Sequence, residues 1–380
     1  MKKNTKEVFF ALLRAGLWEN RDEFHVSGFK IQESVDWEEV YQLAEEQSVV
    51  GIVLQGIEYF KFQDSSFKIP QELLLQWIGE VQMLEQQNKE MNAFIRQLIE
   101  RMRDAGIYAL LLKGQGIAQC YEKPLWRSSG DVDLLLSEDN YQKAVQYLTP
   151  IASDVEGEYK YNKHMAMTID PWVVELHGNL RSELSKRVDN VLDEIQRDIF
   201  FGGHVRSWVN GRTQVFIPHV NCDVVYVFTH ILQHYYKGGI GLRQICDWCR
   251  ILYCYRSKLD LRLLESRIKQ MGLMTEWKAF AAYVVEYLGM PSESMPLYDP
   301  AQKWKNKAEK ICEFVLEVGN FGHNRDMSYY EKHPYIVRKT ISLGRRVKDA
   351  IRHIRVFPAD TLRFFPYLMY NGLSATFRGE

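Results

Sequence analysis

The chain has 380 residues, 46% of them hydrophobic and 26% charged, a make-up that excludes a disordered protein and gives room for one large or two ordinary folded domains. Its 48 basic and 49 acidic side chains leave a formal charge of -1, so no global field steers it toward polyanions. Composition therefore favours a small-substrate enzyme or a protein-binding module over a binder of long nucleic acid.

The N-terminal stretch MKKNTKEVFFALLRAGLWEN begins with basic residues, but Arg14, Glu19 and Asn20 interrupt its apolar part, so it does not read as a signal peptide. No uninterrupted apolar run reaches the roughly eighteen residues a membrane-spanning helix needs, and a soluble cytoplasmic protein is the expectation. Residues 1–105 read as helical. DWEEVYQLAEEQSVVGIVLQGIEYF carries apolar residues at three- and four-residue spacing. The long segment from Pro70 to Gly106 opens on proline and stops at glycine, the usual helix asymmetry.

The texture changes at Ile107. IYALLLK reads as a buried strand, GQGIAQCYE as a short helix, and DVDLLL as a second strand, followed by a helix with Ser137 at its N-cap. HMAMTI, WVVELH, HVRSWV and TQVFIP add strands, with turns at Asp170-Pro171 and Asn210-Gly211. Residues 106–218 thus form a mixed α/β unit, and helices return over 219–380. Among these, ICDWCRILYC holds a C-x-x-C at Cys246 and Cys249. It has no second ligand pair, and reads as buried free thiols in a reducing compartment rather than as a zinc site.

The chemistry concentrates between Leu110 and Leu136, LLLKGQGIAQCYEKPLWRSSGDVDLLL. Residues two apart in a strand share a face, so Asp131 and Asp133 project together, and two such carboxylates repel unless a cation neutralises them. Mg2+ is bound by carboxylate oxygens and keeps waters and substrate phosphates. D-x-D alone is equally a chance pair at a strand edge. Gly130 before it allows close backbone approach, and Lys113-Gly114 end a strand where a helix begins, a geometry suited to phosphate. Arg127 is placed to fork onto phosphate oxygens. Glu175, in WVVELHGNL, completes a three-carboxylate cluster if its strand neighbours the first; otherwise it pairs with a basic side chain.

L-K-G, then R-x-x-G-D-x-D-L-L, then V-E-L-H together resemble the polymerase β-type nucleotidyltransferase superfamily. More narrowly, they resemble an uncharacterised bacterial nucleotidyltransferase family, over about residues 35–250. The resemblance implies an α/β (α+β) fold: a small mixed-sheet core with helical N- and C-terminal subdomains. It also implies transfer of a nucleoside monophosphate from an NTP to an acceptor, with pyrophosphate released and Mg2+ or Mn2+ as cofactor. Asp131 and Asp133 would hold both metals, and Glu175 the catalytic one. Lys113 and Gly114 would contact the triphosphate, with Gln115, Arg127, Ser129 and Gly130 beside them. One departure is Gly114-Gln115 where the superfamily carries Gly-Ser, which removes the serine's phosphate contact or moves it to Ser128 or Ser129.

Four histidines and a helix add substrate candidates. His177 shares parity with Glu175 and His164 precedes that strand. Either could orient Glu175, bind phosphate or serve a structural hydrogen bond. His230 and His234 lie one helical turn apart, followed by Arg243 and Asp247; a core role competes with substrate contact. Tyr121 and Trp126 offer base stacking or core packing. Residues 333–356 form a basic amphipathic helix with Val337, Ile341, Val347, Ile351 and Ile354 in its apolar rows. It is suited to a membrane surface, a nucleic acid, a partner, or simply the core. The acceptor, a small molecule or a protein, is not named by fold. The competing reading is a catalytically inactive nucleotidyltransferase-fold binding or scaffold protein.

Overall fold

A five-stranded mixed sheet organises the middle of the chain, in the order β1-β2-β5-β4-β3. Its strands are β1 (Ala109–Leu112), β2 (Val132–Leu136), β3 (Asp154–Val155), β4 (His164–Ile169) and β5 (Trp172–His177). The computed structural model describes residues 3–19, 35–63, 67–322 and 335–378. β2 pairs antiparallel with β1 and parallel with β5, and β5 pairs antiparallel with β4. A separate hairpin, β6 (Val205–Asn210) and β7 (Thr213–Pro218), turns at Gly211, whose φ of 64° suits glycine.

The alternation of β2 explains the layers. Val132, Leu134 and Leu136 enter an apolar core with Val174 and Leu176, closed by helix α4 (Gln71–Asp104) through Met91, Ile95 and Leu98, and by α6 (Glu138–Leu148) through Tyr141 and Ala144. Asp133 takes the opposite face. Ser137 stands at the N-cap of α6 as expected, but its side chain makes no cap bond; instead its hydroxyl accepts from Asn140 Nδ2 at 2.8 Å.

The segment read as one helical stretch over residues 36–60 is two helices, α2 (Trp37–Glu46) and α3 (Val50–Gln63). Asp36 starts the first by accepting from the Glu39 backbone, and Ser48, in the left-handed region at φ 55°, breaks the second away. Two elements within the α/β unit lay outside the sequence reading, the short strand β3 and helix α7 (Lys186–Phe201), which Ser185 caps.

Helices α8 (Val220–Lys237), α9 (Leu242–Cys254), α10 (Leu261–Met271), α11 (Met274–Leu288) and α12 (Gln302–Val318) follow. Their core is continuous with that of α1 (Lys3–Leu17) and α3. Side chains of α1 and of the residue just after it reach the far end of α11: Arg14 donates to the carbonyls of Glu286 and Tyr287, and Trp18 to that of Leu288, at 2.7–2.9 Å. α1 and α3 cross closely because Gly16 and Gly56 lie at the contact; a Cβ on Gly56 would sit 1.9 Å from the Leu12 carbonyl oxygen.

The basic helix observed is Tyr335–Ile354, and a further helix, Pro358–Arg378, succeeds it; His333 and Pro334 of the expected span lie outside the described residues. It docks by a face other than its aliphatic one. Asp349, Ala350 and His353 are buried, His353 against Tyr235 of α8, whereas Val347, Ile351 and Ile354 are exposed. Among the described residues no helix is long and apolar enough to cross a membrane. Cys246 and Cys249 are buried free thiols on α9.

Candidate active site

Asp133 and Glu175 are direct register partners on the parallel pair β2 and β5, so the fold sets their side chains next to each other. Asp131 lies just before β2, and Lys113 directly follows β1, across from them. Oxygens of Asp131, Asp133 and Glu175 all lie within 4.8 Å of one another. A hard divalent ion with metal–oxygen bonds near 2.1 Å needs ligand oxygens about 3.0 Å apart along an octahedral edge and about 4.2 Å across it. The donor set and its span fit such an ion.

The carboxylates also have lysine and imidazole nitrogens beside them. Lys113 Nζ lies 2.9 Å and His177 Nε2 2.8 Å from the same oxygen, Asp133 Oδ1. His164 Nε2 stands 3.0 Å from Glu175 Oε2, and His177 Nε2 3.5 Å from it. Proximity to Asp133, and then burial, push the Asp131 carboxyl up from its ordinary value. Burial acts the same way on Glu175, but His164, His177 and Lys113 outweigh it and leave that carboxyl well below the usual range. Desolvation pulls the partly buried Lys113 down, but Asp133 outweighs it and raises it above an ordinary lysine, so it stays charged.

These groups open into a cleft of about 610 Å3 between the sheet and α8. Tyr226, His230 and His234, spaced by one helical turn on α8, line it together. His230 Nε2 is 3.1 Å from Lys113 Nζ and 3.2 Å from His234 Nε2. Burial, then Lys113, keep both imidazoles well below their ordinary value, His234 at about 3. Arg243 enters from α9 and donates to the Ser128 carbonyl at 3.0 Å, while its buried Nε has no hydrogen-bond partner among the described residues.

Several residues read as nucleotide contacts also have partners within the protein. Arg127 lines the cleft, but its guanidinium is held in a buried two-pronged pair with Asp247, at 2.8 and 2.6 Å, which Tyr121 joins through a 2.8 Å bond from its hydroxyl. Gln115 is buried and donates to Asn88 Oδ1, which the Ser129 hydroxyl also contacts, so these two side chains secure the loop rather than line the cleft. Trp126 also stays out, under Lys123 and bonded to Glu85. Gly114 and Gly130 do line the cleft, Gly114 at φ 44°.

Sequence reasoning missed Asn88 as the organiser of this loop. From mid-α4 its amide nitrogen donates to the carbonyls of Leu125 and Arg127 at 2.8 and 2.9 Å. An asparagine inside a long helix reads as surface, and no local signal marks it. Tyr226 was also missed, although its four-residue spacing from His230 was visible. Glu183 and Lys237, paired across the cleft wall, had no common pattern in the sequence.

Residues 33–289 match the model of the family described as uncharacterised nucleotidyltransferase, a span that contains every residue of the cleft named so far. Neither the search of curated proteins nor that of solved structures finds a match.

Proposed function

The chain belongs to the uncharacterised nucleotidyltransferase family, and from that premise we propose that it transfers a nucleoside monophosphate from an NTP to an acceptor and releases pyrophosphate. The observation that carries the reading is the meeting of Asp131, Asp133 and Glu175 within 4.8 Å in the wall of the cleft. The arrangement suits the polymerase β-type superfamily.

In this reading Asp131, Asp133 and Glu175 hold Mg2+ or Mn2+, which when bound neutralises the phosphates and polarises the reacting phosphoryl group. Glu175, a carboxylate at neutral pH, accepts a hydrogen bond from the acceptor hydroxyl and orients it. Lys113 and Arg243 provide positive charge for the triphosphate; Arg243 takes the place that the sequence suggested for Arg127, because its Nε lacks a partner among the described residues. His230 and His234, kept neutral by burial, shape the pocket without adding charge. The acceptor is a small molecule or a protein side chain.

The test is nucleotide binding and pyrophosphate release with Mg2+ or Mn2+, in the wild type and in Asp131→Asn. Metal-dependent binding that drops at least about a hundredfold in the variant, with folding intact, supports transfer. The second reading, an inactive scaffold, draws on the pairing of Asp133 with Lys113 and His177, which balances its charge without an ion. It expects nucleotide binding indifferent to Asp131→Asn.

A further inference from the structure

Beside the three carboxylates stands a second donor set. His164 and His177 are direct cross-strand partners on β4 and β5, and Glu175 lies two residues before His177 on the same face. Their donor atoms all lie within 4.8 Å of one another. The imidazole nitrogens sit 3.0 and 3.5 Å from one oxygen, Glu175 Oε2. A tetrahedral ion with bonds near 2.05 Å needs ligand atoms about 3.3 Å apart, so two of the three edges are close to the required length before any side chain moves.

We propose that His164, His177 and Glu175 form a second metal position, one that takes a borderline divalent cation such as Co2+ or Zn2+ and shares Glu175 with the all-oxygen position at Asp131 and Asp133. The inference rests on the metal-dependent reading given above and deepens it. Its chemistry follows from ligand preference: carboxylate oxygens alone suit Mg2+, Ca2+ and Mn2+, whereas imidazole nitrogen suits Zn2+ and the later transition ions. The sheet makes this position rigid, because all three ligands sit on two adjacent strands held in register by backbone hydrogen bonds. His164 is about a quarter exposed and faces the cleft, which gives an ion a way in. Binding would replace the imidazole–carboxylate hydrogen bonds with metal bonds and release the bridging protons.

The test uses the full chain, freed of metal by chelator and titrated with Co2+ in the absence of nucleotide. Imidazole-bound cobalt of low coordination number shows strong visible absorption, and an oxygen-only octahedral ion shows weak absorption. The wild type should give the strong spectrum, His164→Gln should weaken Co2+ binding at least about tenfold, and Asp131→Asn should leave the spectrum in place. A wild-type crystal soaked with Co2+ should place the ion within bonding distance of both imidazoles. A weak spectrum unchanged by His164→Gln, or an ion found only between Asp131 and Asp133, overturns the proposal. A protein with Mg2+-dependent pyrophosphate release but no imidazole-bound cobalt keeps the transfer reading and loses this position. Imidazole-bound cobalt without any transfer does the reverse.

Discussion

Arg127→Met separates a structural from a nucleotide-binding role for that guanidinium. The Arg127 and Asp247 side chains are each only 5% exposed and 2.6 Å apart, so removing the arginine leaves an aspartate buried with Tyr121 as its remaining hydrogen-bond donor among the described residues. Breaking a buried pair from one side costs about 3–5 kcal/mol, because the other charge stays desolvated. Unfolding entropy near 2.1 cal/mol/K per residue gives about 0.8 kcal/mol/K over 380 residues, so the melting temperature should fall by about 4–6 °C if the chain melts as one unit. The double variant Arg127→Met/Asp247→Leu should recover much of that loss, since no uncompensated charge remains. Calorimetry of the wild type and the variants, alongside nucleotide titration, reads both effects. An unchanged melting temperature together with a tenfold loss of nucleotide affinity would refute the reasoning and return Arg127 to the phosphates.

Other expectations follow from the same geometry. Asp131→Asn should hold or raise the melting temperature while abolishing metal-dependent nucleotide binding, because it relieves the repulsion from Asp133 that pushes the Asp131 carboxyl up; a lower melting temperature would show that the carboxylate is structural. His234 is held at about 3 against an ordinary 6.5, by burial and then by Lys113 and Lys237, so between those values the unfolded chain binds a proton that the folded chain refuses. Its contribution is therefore complete above about pH 6.5 and fades as pH falls, by up to about 1.4 kcal/mol per unit. His234→Gln should flatten the acid limb of stability measured by urea unfolding, and an unchanged slope would count against this assignment. Gly56→Ala should cost about 1–3 kcal/mol or more, since its Cβ meets the Leu12 carbonyl at 1.9 Å and forces α1 and α3 apart; a wild-type urea midpoint would show that the crossing yields freely.

The sheet strands were legible because apolar runs and parity are local properties: β1, β2, β4 and β5 stand where IYALLLK, DVDLLL, HMAMTI and WVVELH suggested. The meeting of Glu175 with Asp133 was legible only conditionally, since strand adjacency is a long-range fact that the register supplies. What escaped was partner choice. A guanidinium four residues before an aspartate pair looks available for phosphate, and nothing local reveals that Asp247, 120 positions away, already holds it. The same blindness hid the pairing of Gln115 with Asn88, and it left open which way Val347, Ile351 and Ile354 turn on the Tyr335–Ile354 helix, where they face outward. Periodicity finds an apolar stripe but does not say which side of the helix meets the body.

The matched span begins at residue 33, yet α1 lies before it and closes the carbonyl end of α11, just inside the other limit at residue 289. A fragment trimmed to 33–289 would strip three carbonyls of the donors that Arg14 and Trp18 supply, and would uncover the groove that Gly56 opens for α1. The last helix of the matched span, α11, is thus latched by side chains that come from a segment outside that span.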